Sequence, residues 1–172
     1  MFNYELTLRK ANKYDLTCLF NLKNEAHEMH HRVALINEDD QEKWFESLDK
    51  EVYQPKNLIL IGLDPKSNNE IGAFFLTNIN YINRTADVGL DVYKEHRGKG
   101  FGTRFMHSGI YFCRDILNLR KLSCEILENN HPSQKMCEKN NFVHEGTKKK
   151  QIYKAGKYID SLVYGLIIDG IS

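Results

Sequence analysis

A short run of glycine and basic residues, Arg-Gly-Lys-Gly-Phe-Gly-Thr, has the composition of a phosphate-binding turn. Glycine permits positive φ and lets the backbone approach a ligand closely, so that successive N–H groups can point in one direction. A helix is predicted directly after the run, and the N-terminus of a helix favours an anion. The sequence therefore predicts a pyrophosphate site formed by the backbone of seven residues. They are Arg97, Gly98, Lys99, Gly100, Phe101, Gly102 and Thr103.

Two better-known phosphate-binding motifs do not fit this run. The dinucleotide fingerprint G-x-G-x-x-G would need glycine where Thr103 stands, and the P-loop would need Ser or Thr where Gly100 stands. The alternative to a ligand site is an exposed surface turn, because short glycine motifs also occur without a function.

The elements around the turn are those that a site of this kind needs. Apolar side chains alternate with small or acidic ones from Asp87 to Tyr93, which is the pattern of a strand. After the turn, apolar residues at helical spacing predict a helix from about Gly102 to Leu117. The turn therefore joins the end of a strand to the start of a helix.

These features together resemble the GNAT family of N-acetyltransferases, whose signature Q/R-x-x-G-x-G/A wraps the pyrophosphate of acetyl-coenzyme A. The next family segment follows at the expected distance, at Asn130, Ser133, Met136, Glu138, Lys139 and Phe142. The resemblance covers nearly the whole chain and is closest to the branch of spermidine and ribosomal-protein N-acetyltransferases. It implies acetyl-coenzyme A as donor, coenzyme contacts from Asn130 and Ser133, and an acetyl-carbonyl contact near the backbone of Val92.

Composition limits the class of protein. With 172 residues and 41% hydrophobic content, the chain fits a single domain spanning residues 1–172. Its net charge of +1 gives no electrostatic footprint for nucleic acid, and no apolar run approaches the roughly 20 residues of a membrane span. Four widely spaced cysteines without a C-x-x-C pair predict reduced thiols and a cytoplasmic protein.

The pattern of elements predicts an α/β (α+β) fold with a mixed, mostly antiparallel central sheet and helices on both faces, in agreement with the family. Asp15 is expected to cap a first helix, and Asp39 or Asp40 to open a second one. The other strands and the last helix are predicted at residues 3–10, 58–63, 71–79, 121–127 and 133–139, with closing strands at 143–150 and 161–168.

Acetyl transfer to an amine needs a base, because a free alkylammonium has a pKa near ~10.4 and must lose a proton directly or through water. Asp87 and Asp91 share one face of the strand before the turn, and Asp87 is the preferred candidate. The alternative is that both carboxylates are ordinary solvated groups.

The proton donor is where the chain departs from the family, because Cys137 stands where the family has a tyrosine. A thiol with a pKa near ~8.5 can still donate to a thiolate of similar basicity. The alternatives are that Cys137 is a small buried hydrophobe, or that Tyr153, Tyr158 or Tyr164 supplies a hydroxyl. A covalent acetyl-Cys137 intermediate is less favoured than direct transfer in a ternary complex. Asn141 replaces a family glycine and tolerates the left-handed conformation at a helix end.

The acceptor is predicted to be a small-molecule primary amine, with a polyamine such as spermidine favoured. Glu38, Asp39 and Glu42 would attract its ammonium groups, and Trp44 would offer a cation–π surface. The alternative for these acidic residues is helix capping. Other acceptors in the family are amino-sugar nucleotides and protein N-terminal amines, and a non-enzymatic acyl-coenzyme A sensor is a further alternative.

Two remaining features concern metals and assembly. His27, His30 and His31 have the spacing of a helical metal site, but a solvated or substrate-loop cluster is favoured and no metal is expected. The family resemblance implies a homodimer or a larger homo-oligomer.

Overall fold

Seven strands form one sheet in the computed structural model of the protein, which describes residues 5–25, 37–48 and 54–169. The strand order is β1-β2-β3-β4-β5-β7-β6. Strands β4 and β5 are parallel, and the other neighbours are antiparallel. The strands are β1 Thr7–Lys10, β2 Leu58–Leu63, β3 Glu70–Asn80, β4 Thr85–Val92, β5 Lys121–Leu127, β6 Val143–Lys154 and β7 Lys157–Ile167.

Helices cover both faces of this sheet. They are α1 Leu16–Glu25, α2 Glu38–Leu48, α3 Phe101–Asp115 and α4 His131–Lys139. Short 3-10 turns at Lys13–Asp15 and Lys94–His96 lead into α1 and towards α3. The predicted mixed, mostly antiparallel sheet with helices on both faces is confirmed.

Strand β2 shows why the sheet needs two covering layers. Alternate residues Leu58 and Leu60 pack in the core beneath α3, whereas Ile59 and Ile61 pack with Leu19 of α1 on the opposite face. Each face buries apolar side chains, so the strand is a continuous apolar run rather than an alternating one.

The predicted cap of the first helix was wrong. Asn12 caps the 3-10 turn before α1, because its side chain accepts a hydrogen bond from the Tyr14 N–H at 2.9 Å. Asp15 is instead buried, and Arg9 donates to its carboxylate through both terminal nitrogens, at 2.7 and 2.8 Å. The second helix begins after Asn37, whose Oδ1 accepts from the Asp40 N–H at 2.8 Å.

Two further local predictions concern Asn141 and the histidine cluster. Asn141 has the expected left-handed backbone, with φ 64°, just beyond the end of α4. The histidine cluster at residues 27, 30 and 31 lies outside the described residues.

Candidate active site

An opening lies between β4 and β5, because the two parallel strands pair over only part of their length. Their recorded pairs run from Thr85↔Lys121 to Asp87↔Ser123, although β4 continues to Val92 and β5 to Leu127. The Tyr93 N–H donates to Ile71 of β3 at 3.0 Å. Since peptide groups alternate between the two edges of a strand, those of Val92 face the opening.

The predicted turn lies directly after this strand and is shaped by two glycines. Gly98 and Gly100 have φ values of 72° and 82°, a region that other residues adopt only with strain. A Cβ atom at either position would meet nothing within 4 Å, so backbone conformation and not crowding calls for glycine here. The surface of the turn is open to a ligand.

The start of α3 presents backbone donors at the turn. The first intrahelical bond joins the Arg104 N–H to the Gly100 carbonyl at 3.2 Å, and Gly100 supplies no side-chain cap. The N–H groups of Phe101, Gly102 and Thr103 therefore have no intrahelical acceptor, as at any helix start. Together with the helix dipole they form an anion-binding surface.

Arg97 connects the turn to the end of β4. Its Nε donates a hydrogen bond to the Val92 carbonyl at 2.8 Å, and its guanidinium lies 3.8 Å from the Glu25 carboxylate at the end of α1. The side chain therefore fixes the strand end, while Lys99 remains exposed in the turn.

Helix α4 closes the same region from the side. A Cβ atom on Gly102 would lie 3.4 Å from the Met136 sulfur and 3.8 Å from a Val92 methyl group, so these three residues meet. The Asn140 side chain donates to the Thr103 carbonyl at 3.3 Å and to the Met136 carbonyl at 2.9 Å. This link between α3 and α4 was not predicted from the sequence.

Asn130 and Ser133 occupy the start of α4. Asn130 is buried, and its Oδ1 accepts a hydrogen bond from the Ser133 N–H at 3.3 Å. The pair is therefore the N-terminal cap of α4, and its predicted coenzyme contacts stay predictions.

Cys137 is buried in the core beneath α4, with 1% of its surface exposed. Its sulfur lies 3.5 Å from that of Cys124 in β5. The hydrogen bond to Cys137, together with burial, raises the pKa of the Cys124 thiol well above its ordinary range.

The structure also ranks the three tyrosines that were alternatives to Cys137. Tyr164 is buried on β7 directly opposite Cys124, whereas Tyr153 and Tyr158 are exposed at the far end of the β6–β7 hairpin. Only Tyr164, of these three, is close to the cysteine pair.

The two candidate carboxylates of β4 have different surroundings. Asp87 is exposed and accepts a hydrogen bond from the Asn78 amide at 2.8 Å. It belongs to the part of β4 that pairs with β5. Five residues of strand separate it from Val92, which is about 17 Å. Asp91 is buried and lies next to Val92, in the part of β4 that pairs with β3 but not with β5.

A polar cluster that the sequence did not predict lies beside the end of β4. The Tyr93 hydroxyl contacts the Cys18 sulfur of α1, and this thiol lies 3.1 Å from the Glu70 carboxylate. Arg9 joins Glu70 to Asp15. Burial and the charge of Asp15 raise the pKa of Tyr93, so its hydroxyl stays protonated at neutral pH.

An acidic cavity of about 170 Å³ lies between α1 and α2. Its lining consists of Leu16, Thr17, Phe20, Glu38, Gln41 and Glu42. Two predicted acceptor-binding residues, Glu38 and Glu42, are therefore brought together, while Asp39 is exposed outside this lining.

The face of Trp44 is already covered by a cation of the chain itself. The Lys23 ammonium lies 3.0 Å from the ring centroid and donates to the Gln41 Oε1 at 3.0 Å. A substrate ammonium would have to displace Lys23 to reach this ring.

The geometry of this site agrees with the resemblance seen in the sequence. A comparison with a family profile tests that resemblance over a longer part of the chain. The profile of the acetyltransferase (GNAT) domain matches residues 5–143. The chain belongs to the GNAT family. The protein is therefore an acetyltransferase, and acetyl-coenzyme A is its acetyl donor.

Individual relatives of this GNAT protein support the same assignment. The spermidine N(1)-acetyltransferase of Vibrio cholerae serotype O1 is 28% identical over 160 residues, which are 92% of this chain and 90% of the relative. The crystal structure of the V. cholerae spermidine N-acetyltransferase with CoA and spermine has a TM-score of 0.86 at 26% identity, covering 96% of both chains. A dodecameric structure of the V. cholerae enzyme in an intermediate state has a TM-score of 0.81 at 25% identity, covering 96% of this chain and 95% of that one.

The GNAT turn fits the pyrophosphate of the coenzyme. Two glycines with positive φ, the unpaired N–H groups at the start of α3 and the cations of Arg97 and Lys99 all suit a diphosphate. A Cβ atom at position 102 would be in van der Waals contact with Met136, so α4 lies directly beside the start of α3. Among the described residues, no helix is long and apolar enough to span a membrane.

Proposed function

We propose that the protein transfers the acetyl group of acetyl-coenzyme A to a primary amine of a polyamine such as spermidine. The observation that carries this proposal is the cavity between α1 and α2, where Leu16 and Phe20 are apolar walls and Glu38 and Glu42 are acidic. Such a lining suits an alkyl chain with cationic nitrogens. The similarity to a spermidine N(1)-acetyltransferase supports the same acceptor.

The coenzyme supplies an activated acetyl thioester, and the chain holds it at the turn. We assign the pyrophosphate to the backbone from Arg97 to Thr103, and further contacts to Asn130 and Ser133 at the start of α4. The Val92 N–H is assigned to the acetyl oxygen, because it faces the opening, while Arg97 donates to the carbonyl of Val92 itself and fixes the strand end.

The acceptor nitrogen must be neutral to react, and a carboxylate of β4 is assigned to take its proton. Asp87 is the assigned base, and its distance along the strand from Val92 requires water to carry the proton. The comparison of Asp87→Asn with Asp91→Asn tests this assignment, since only the variant of the working base should lose activity at neutral pH and recover part of it as pH rises. Direct transfer in a ternary complex needs no covalent enzyme intermediate.

Cys137 is assigned as the group that returns a proton to the departing thiolate. Cys137 lies in α4, the helix whose Met136 borders the turn, and its thiol is buried beside that of Cys124 in β5. A thiol is a chemically suitable donor for this step, because ordinary thiols and the departing thiolate belong to the same class of acid.

Glu38 and Glu42 are assigned to the ammonium groups of the acceptor that do not react. Asp39 adds negative charge nearby, and Trp44 contributes only if Lys23 leaves its ring. We further propose a homo-oligomeric state, supported by the dodecamer of the V. cholerae enzyme, and the cytoplasmic location stays a prediction.

Steady-state assays with spermidine, an amino-sugar nucleotide and an N-terminal peptide test the acceptor class. We expect the highest kcat/KM with spermidine. The double variant Glu38→Gln/Glu42→Gln should raise the KM for spermidine about tenfold and leave the KM for acetyl-coenzyme A within twofold, because two attractive charges are lost. Asp40→Asn serves as the matched control, because Asp40 is an exposed carboxylate two residues from both Glu38 and Glu42, on the opposite side of the same helix and outside the cavity lining. A preference for the nucleotide or the peptide would contradict the polyamine proposal.

A further inference from the structure

Two cysteines approach each other at the closed end of the opening between β4 and β5. The sulfurs of Cys124 in β5 and Cys137 in α4 are 3.5 Å apart, and both side chains are buried. Cys124 is the first residue of β5 beyond the last pair with β4, Asp87↔Ser123. The pair therefore lies next to the point where β4 and β5 part.

The separation of the two sulfurs is close to that of a disulfide. A disulfide has an S–S distance of about 2.05 Å and Cβ atoms roughly 3.5–4.5 Å apart, so the sulfurs need to approach by roughly 1.5 Å. Rotation about the Cα–Cβ bond of a cysteine moves its sulfur by distances of this order. Among the described residues, Cys18 and Cys113 have no sulfur neighbour of this kind.

We propose that Cys124 and Cys137 are a modification site, which a peroxide converts to a reversible disulfide that stops acetyl transfer. One sulfur attacks the peroxide, the O–O bond breaks, and a sulfenic acid forms with release of one water. The second thiol then displaces the sulfenic oxygen as a second water while the S–S bond forms. The two sulfurs lose two electrons in total, and hydrogen peroxide accepts them.

The reaction balances whichever of the two sulfurs attacks the peroxide. The other thiol then resolves the sulfenic acid. Because the two thiols bond to each other, no third cysteine is needed to complete the disulfide.

The disulfide changes the site in two ways. Cys137 loses the S–H hydrogen that we assigned to the departing thiolate, so the effect on catalysis rests on the proposed function. The bond also closes the loop from β5 to α4, which contains Asn130 and Ser133. Formation of the bond itself does not depend on the enzymatic assignment.

The test begins with the fully reduced wild-type protein treated with hydrogen peroxide, quenched with catalase and alkylated at its remaining thiols. Peptide mapping by mass spectrometry should find Cys124 linked to Cys137, and intact mass should fall by two hydrogens. Activity should fall at least about tenfold in step with the linkage, because general acid catalysis is lost, and return after reduction. The oxidised protein should also unfold at a higher temperature, since the bond constrains the unfolded chain.

Two variants separate this site from general oxidation. Cys113→Ser removes another buried thiol, and it should keep both the linkage and the reversible inactivation. Cys124→Ser should form no linkage, and without a resolving thiol its Cys137 should oxidise beyond the sulfenic acid, so that inactivation, measured against the variant's own reduced activity, is no longer reversed by reduction. The proposal is overturned if folded wild-type protein shows no linkage at doses that oxidise its other thiols, or if inactivated Cys124→Ser recovers as fully on reduction as the wild-type protein. A protein that forms the linkage but acetylates no amine would contradict the proposed function and not the modification site.

Discussion

At the scale of single residues, Cys137 decides how this protein differs from its family. The sequence placed a thiol where the family has a tyrosine, and the structure shows that thiol buried against a second one. The partner was not predictable, because Cys124 lies 13 residues away on another element and no local pattern joins the two. Burial of Cys137 fits both a proton donor and a small core residue, so kinetics must separate the two.

Replacement of Cys137 by alanine tests its role as proton donor. We expect kcat to fall at least about tenfold and the Kd for coenzyme A to stay within twofold, because only the S–H group is lost. Cys113→Ala removes a buried thiol from α3 and should leave kcat nearly unchanged. An unchanged kcat in Cys137→Ala would move the role to another group, with Tyr164 the nearest of the tyrosines considered.

Asp15 makes a prediction about stability and pH. Burial opposes its ionisation, but hydrogen bonds from Arg9 and from the Asn12 N–H outweigh burial and lower the pKa of the carboxyl group. A group whose folded pKa is lowered stabilises the fold above its unfolded pKa, about 3.9, and loses this effect as pH falls through the folded value. Asp15→Asn should therefore cost roughly 2 kcal/mol of unfolding free energy at neutral pH.

Denaturant unfolding of wild-type protein and Asp15→Asn at several pH values measures this effect. The difference between the two should shrink below about pH 4, as the wild-type carboxyl group becomes protonated. Asp169→Asn is the control, because that carboxylate is exposed and pairs with the exposed Arg120 at the surface. A difference that stayed constant down to pH 2 would show that packing, and not charge, makes Asp15 important.

At the scale of elements, the glycine turn between β4 and α3 was the part most easily predicted from sequence. Its glycines, the strand before it and the helix after it are neighbours in the chain, so local rules were sufficient. The cap of α1 was predicted wrongly because local rules were not sufficient there. Asp15 has the residue type of a cap, but Arg9 and Glu70, which arrive from two strands, draw it into a buried ion-pair cluster.

Two glycines with positive φ allow the function of the turn to be separated from its strain. Gly100 and Gly156 have φ values of 82° and 78°, and a Cβ atom at either would meet nothing within 4 Å. Alanine at either position should cost about 1 kcal/mol of unfolding free energy. Only Gly100→Ala should raise the Kd for coenzyme A, by about tenfold, because Gly156 lies in the β6–β7 hairpin. Equal coenzyme affinity in both variants, measured by calorimetry, would mean that the turn is not the binding surface.

At the scale of the whole molecule, alternating and continuous apolar runs were sufficient to predict a sheet covered on both faces. They did not predict where β4 and β5 part, since that depends on pairing between segments far apart in the chain. The cluster of Tyr93, Cys18 and Glu70 has the same origin, with separations of 75 and 52 residues. The lining of the acidic cavity was predicted in part. Glu38 and Glu42 were chosen from the acidic run at the second helix and from the family resemblance, whereas Leu16 and Phe20 of α1 were not predicted to line it.

The central claim is that the backbone from Arg97 to Thr103 binds the diphosphate of the coenzyme. Calorimetric titration of the folded wild-type protein with coenzyme A and, separately, with pantetheine, which lacks the diphosphate, tests it most directly. We expect saturable heat with coenzyme A and an affinity at least about a hundredfold weaker for pantetheine, which corresponds to roughly 2.8 kcal/mol. Absence of heat with coenzyme A, or equal affinity for the two ligands, would contradict the account.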